Sequence, residues 1–193
     1  MKSWLHLRTR KKFPLRRGIL GERGTQIVEF AVSLPLLVLF VVGIFDFTGA
    51  LSLKQKLTNA ARDAARVAAA DPATDLGAAV PVSVGDAYQV VENYLSSENI
   101  NNCGLTGTTP ALSGTLTWKS PALTGCPGNT GLVVTINRGC ATPIQGTGVD
   151  MVNTCVTIQY PYQWLFTSVS GLMGNSFIPP ANITTTATSF NEN

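Results

Sequence analysis

Beyond position 6 the chain has no histidine, and that absence removes much of the usual catalytic repertoire. No imidazole is left for a Ser-His or Cys-His pair, or for a hydrolytic zinc site. Neither SxxK, GxSxG nor a phosphate-binding P-loop occurs. Carboxylates thin out after Glu98, with only Asp150 and Glu192 to follow. Cysteine is absent from the first 102 residues, and Cys103, Cys126, Cys140 and Cys155 contain no CxxC pair. A structural zinc site therefore lacks both its thiolate spacing and its imidazoles. The sequence offers no catalytic residue, no cofactor-binding residue and no metal ligand, and we read the protein as a non-enzyme that needs no cofactor.

Charge is also scarce, at 13% of residues, and it is unevenly spread. Of the 14 basic residues, 8 precede Thr25, from Lys2 to Arg23. From Thr25 onward 6 basic residues face 10 acidic ones, so the pI of 8.8 belongs to the leader. No basic patch continues into the rest of the chain, which argues against a nucleic-acid partner. A dense positive block before an apolar run instead predicts a cytoplasmic amino terminus and an exported remainder.

What the chain does have is a long apolar run. Sixteen residues separate Glu29 from Asp46 without a charge, and the apolar character extends from Ile27 to Leu53. At about 1.5 Å per helical residue, Ile27 to Ala50 reaches roughly 36 Å, enough to cross a bilayer core with some tilt. Pro35 is tolerable there with a kink. Gly43 and Gly49 lack the four-residue spacing of a helix-dimer motif. Asp46 falls at the outer edge, where solvent or a partner would receive it.

Gly24 closes the basic leader, and Glu29 follows five residues later inside the apolar run. A carboxylate there is costly without a partner. A cut after Gly24 would create an amino group on Thr25, able to pair with Glu29 of a neighbouring subunit and set the register between helices. The plainer reading makes Thr25 an N-cap and Glu29 a first-turn carboxylate or one that snorkels to headgroups.

The helical pattern outlasts the apolar run. Leu57, Ala60, Ala61, Ala64, Ala65 and Ala68 share one face, with Lys54, Arg62 and Arg66 on the other. Asp71-Pro72 ends it. This predicts a helix over 25–70, membrane-spanning at about 27–50 and amphipathic over 51–70. A Pro/Gly/Ala linker at 71–85 and a short helix over 86–99, capped by Asp86, come next. Strands are expected at 114–119, 132–138, 155–160 and 183–190, so the exported part, 71–193, reads as a small antiparallel sheet with helices, an α+β fold. The apolar stretch 162–178 is too broken for a second span; it reads as a short core helix covering the sheet, with an apolar surface element that meets membrane or a partner as the alternative. An even cysteine count in an exported, loop-rich domain predicts two disulfides. Three connectivities are open, and Cys103–Cys126 with Cys140–Cys155 would close local loops. Asn182-Ile-Thr has the form of a glycosylation sequon, expected to be fortuitous in a Thr-rich strand.

The basic leader, ERGTQIVEFAVSLPLLVLFVVGIFDF, LTNAARDAARVAA and the terminal VTIQYPY and ITTTATSFNEN together resemble a TadE-type protein, a pseudopilin or minor pilin of the tight-adherence (Flp) pilus system. The resemblance is strongest over 21–70, fainter over 155–193, and has no motif in 71–154. It implies a pilin-like, single-pass inner-membrane precursor, cut by a prepilin peptidase and active in pilus assembly with other pilin or pseudopilin subunits. Carried over by position, Gly24 is the last leader residue, Thr25 the mature start and Glu29 the fifth mature residue. Phe30 departs from the Tyr that follows the Glu in major Flp pilins, which suits a minor component. TadF-like chains share the anchor pattern. The implied partners are the peptidase, the assembly machinery and membrane lipid; the competing expectation is an uncleaved, signal-anchored binding or adhesion module.

Overall fold

The computed structural model describes residues 20–126, 131–146, 148, 150–165 and 180–191. Most of the leader, and most of the stretch expected to cover the sheet, lie outside them. The fold is α+β. The chain divides into two units, residues 1–40 and 41–193, with the boundary inside helix α1 (Leu20–Ala70).

In the first unit the described residues form one helix that runs through Pro35. Its apolar side chains are exposed; Ile27, Phe30 and Phe40 each keep more than 60% of their surface. By length and composition this is a helix able to cross a membrane.

The second unit takes the rest of α1, helix α2 (Val82–Ser97) and five strands: β1 (Ala111–Gly114), β2 (Thr117–Lys119), β3 (Val133–Pro143), β4 (Asp150–Pro161) and β5 (Asn182–Phe190). The strands pair in chain order, all antiparallel. Alternation selects the inner face. Trp118, Ile136, Val156 and Ala187 make one cross-strand row, with Val134, Ile158 and Thr185 in the next. These join a core with Leu57 and the alanines of α1, and with Val84, Ala87, Val91 and Leu95 of α2. Spacings of three and four put Leu57, Ala60, Ala61, Ala64, Ala65 and Ala68 on one stripe, and all six are fully buried. The Thr58 and Thr185 hydroxyls, 2.9 Å apart, tie the stripe to β5.

Arg138, on the inner face of β3, is buried and donates to the Asp71 carbonyl (3.0 Å) just past the end of α1. A cation there satisfies an orphan carbonyl and meets the negative end of the helix dipole. Burial lowers the guanidinium from its ordinary value, and Asp71 and Asp75 oppose that. Its other hydrogen bond runs to Thr154 Oγ1 (3.3 Å).

Two expectations need correction. Helix α2 begins at Val82, and Asp86 lies inside it rather than at its cap. Asp75 receives the Val82 N–H instead, at 2.6 Å. Burial of Ser83 and Val84 rewards the extra turn, and it offsets the roughly 0.5–1 kcal/mol that Gly85 costs in a helix. The single strand expected at 114–119 is two strands joined by a tight turn. Leu116 takes φ 51° there, unusual for a side chain of that size. Gly139 makes room for it, since a Cβ at 139 would stand 2.9 Å from Leu116 Cδ1.

The structure joins Cys103 to Cys126 and Cys140 to Cys155. The first bridge is buried. The second links β3 to β4 beside the register shift between Asn137 and Cys140. At the first bridge a Cβ on Gly125 would lie 2.6 Å from the Cys103 carbonyl oxygen. Gly125→Ala is therefore expected to lower the urea midpoint of the domain, by roughly the 1–3 kcal/mol of an overpacked site.

Burial raises the phenols of Tyr88 and Tyr160 above their ordinary 10.0. At Tyr88 the hydrogen bond to Thr108 opposes this and Glu92 adds to it. The folded state thus prefers the neutral phenols, so their contribution is complete below about pH 10 and is lost as pH climbs through the raised values. Urea midpoints should be flat from neutral to mildly alkaline pH and fall beyond it, and Tyr88→Phe should soften the fall. An equal fall in Tyr88→Phe and Tyr160→Phe variants would refute this assignment.

Candidate functional site: the amino-terminal helix

On α1, residues 24, 25, 28 and 29 recur at the one- and four-residue spacings that share a helix face. Gly24, Thr25, Val28 and Glu29 accordingly line one shallow, open recess. Gly24 has no steric reason to be glycine, because an added Cβ would meet no atom within 4 Å. Its φ is not in the left-handed region either. Glycine inside a helix costs roughly 0.5–1 kcal/mol against alanine, and Gly24, like Gly85 of α2, has no packing contact that requires it. Glu29 is exposed, and among the described residues it forms no salt bridge.

Further along, polar side chains are turned back onto the helix. Ser33 Oγ donates to the Phe30 carbonyl (3.2 Å), and Thr48 Oγ1 to that of Ile44 (2.7 Å). Such bonds hide hydroxyls from an apolar surrounding.

Asp46 is buried at 3% exposure. The Tyr162 hydroxyl, at the end of β4, lies 3.1 Å from both its carbonyl oxygen and Oδ1. Gly49, one turn on, leaves the hydroxyl its space, for a Cβ there would come within 3.1 Å. Burial and then Asp46 raise the Tyr162 phenol above its ordinary value, which keeps it a donor. Sequence reading allowed Asp46 a partner but did not find Tyr162, which lies 116 residues away. No periodicity reports a contact of that separation.

The structure thus gathers Gly24, Thr25 and Glu29 on one helical face and places the four cysteines in two bridges elsewhere. Among the described residues no group of three or more His, Cys, Asp or Glu side chains is placed to hold a metal ion. The chain's strongest signal is therefore the helix itself.

Residues 24–66 match the family described as TadE-like protein.

The TadE-like segment lies wholly within α1 and opens on Gly24. It includes the recess, the apolar run, Asp46 and most of the alanine stripe, and it stops short of α2 and the sheet. Neither a curated protein nor a solved structure matches the chain.

Proposed function

We propose that this protein is a minor pilin or pseudopilin of a tight-adherence pilus system. It is made as a single-pass inner-membrane precursor with its amino terminus in the cytoplasm, and is cut between Gly24 and Thr25 by a prepilin peptidase. The observation that carries the reading is the TadE-like match opening at Gly24, a glycine with no steric duty in its own chain. Chemistry supplies the rest. A peptidase cleft that closes on the extended chain favours the residue without a side chain. The new amine of Thr25 provides a cation for Glu29 of an adjacent subunit, a pairing strengthened in a low-dielectric surrounding. Other pilin or pseudopilin subunits and the assembly machinery are the partners, with the domain of residues 71–193 on the exported side of the membrane.

The test is the amino-terminal sequence of the protein recovered from membranes of cells with and without the peptidase. A start at Thr25 only when the peptidase is present supports the reading, and Gly24→Leu should then leave the leader attached. Glu29→Gln should leave the cut intact while reducing co-purification with neighbouring subunits. A chain that keeps Met1 in both strains would refute processing and leave a signal-anchored binding module in its place.

A further inference from the structure

Asp46 is the charged residue at the far end of the apolar run, and the structure hides it beneath a short segment from the other end of the chain. Counted along the sequence from Ile27, the roughly 20 residues that a bilayer core requires end at Asp46. At that level Phe45 and Phe47 are exposed by 72% and 58%. Beside them runs the stretch Tyr162–Leu165, held by three bonds. Tyr162 donates its hydroxyl to Asp46 and its backbone N–H to the Ala181 carbonyl (3.0 Å). Trp164 Nε1 donates to the Pro180 carbonyl (2.7 Å). The Tyr162 and Trp164 rings meet edge to face with centroids 4.9 Å apart. Leu165 follows with 67% of its surface exposed.

We propose that Tyr162–Leu165, together with Phe45 and Phe47, forms a lipid-docking collar that seats the domain on the bilayer surface. Three features select lipid as the occupant. The collar continues the apolar surface of the helix without a gap in sequence at Phe45. It contains Tyr and Trp, whose apolar bodies and polar tips suit the headgroup boundary. Its one carboxylate is buried and accepts the Tyr162 hydroxyl, so it is not presented on the apolar surface. The proposal rests on the membrane-anchored reading of α1, so its test separates the two.

Benzoylphenylalanine is placed singly at Phe40, Leu165 or Thr186 in the full chain, reconstituted in vesicles of phosphatidylethanolamine and phosphatidylglycerol. Thr186 is exposed on the outer sheet face and serves as the control. The expected result is phospholipid adduct at Leu165 approaching the yield at Phe40, with Thr186 at background. Adduct at Phe40 but not at Leu165 overturns the collar and leaves the anchor standing. Protein adducts at Leu165 overturn it in favour of a subunit contact, and equal labelling at Thr186 shows that the contact is unselective. No adduct at Phe40 overturns the anchored reading and the collar with it.

Discussion

Trp118→Ala is expected to destabilise the domain by about 3–5 kcal/mol, the usual range for emptying a fully buried tryptophan site. Trp118 is 0% exposed and stands at the head of the inner row that runs through Ile136 and Val156 to Ala187. Its indole N–H also donates to the Ala79 carbonyl at 3.0 Å, pinning the segment that leads into α2. Truncation therefore opens a cavity and strands a carbonyl. With a urea slope of about 1–3 kcal/mol per molar, the midpoint should fall by roughly 2 M. Pulse proteolysis of the detergent-solubilised full chain across a urea series reads this directly. A fall below about half a molar would mean that the core collapses around the site, or that Trp118 is less central than its burial indicates.

The second large effect is expected from Cys103→Ala/Cys126→Ala. The bridge spans 23 residues of sequence. In the chain-entropy description, closing such a loop contributes about 3 kcal/mol. β2 ties the middle of this segment to β3, but the ends beside the bridge rest on few bonds: Gly125 donates to the Cys103 carbonyl, and the Tyr160 hydroxyl to that of Asn101. Removing the bridge should thus loosen the 101–126 connection as well as lower the midpoint. Cys140→Ala/Cys155→Ala should cost less, because β3 and β4 already pair on both sides of that bridge. Reversal of this order would show that the hairpin beyond Cys140 depends on its sulfur link.

Elements with a strong repeat were legible from sequence. The alanine stripe of α1 reads at once, since spacings of three and four repeat from Leu57 to Ala68. Strands β3, β4 and β5 were found by alternation, but two of them were read short. Val133–Pro143 runs past Arg138, and Asp150–Pro161 begins five residues before Cys155. Those extensions are exposed at Ala141–Pro143 and Asp150–Val152 and bury only polar side chains at Asn153 and Thr154, so no apolar alternation marks them. Asp86 was mistaken for a cap because Gly85 looked like a break, whereas burial of Val84 decides where the helix starts. The turn at Leu116 was missed because glycine or asparagine normally signals a positive φ. Among the residues singled out, Gly24 and Glu29 stand out by position alone, and the structure sets them on one helix face. Tyr162 was not, because its significance depends on Asp46 being brought to it by the fold.

A sheet whose strands pair in chain order is built from neighbours in sequence, although 13 residues separate β2 from β3 and 20 separate β4 from β5. The seam between α1 and β5 reaches much further. Thr58 and Thr185 are 127 residues apart, so part of the alanine stripe's cover comes only from β5. Synthesis delivers α1 before any of the strands and β5 after the other four. Until β5 pairs, the inner rows that close on Thr185 and Ala187 stay open at β4, and a chain cut before Asn182 leaves the core unfinished.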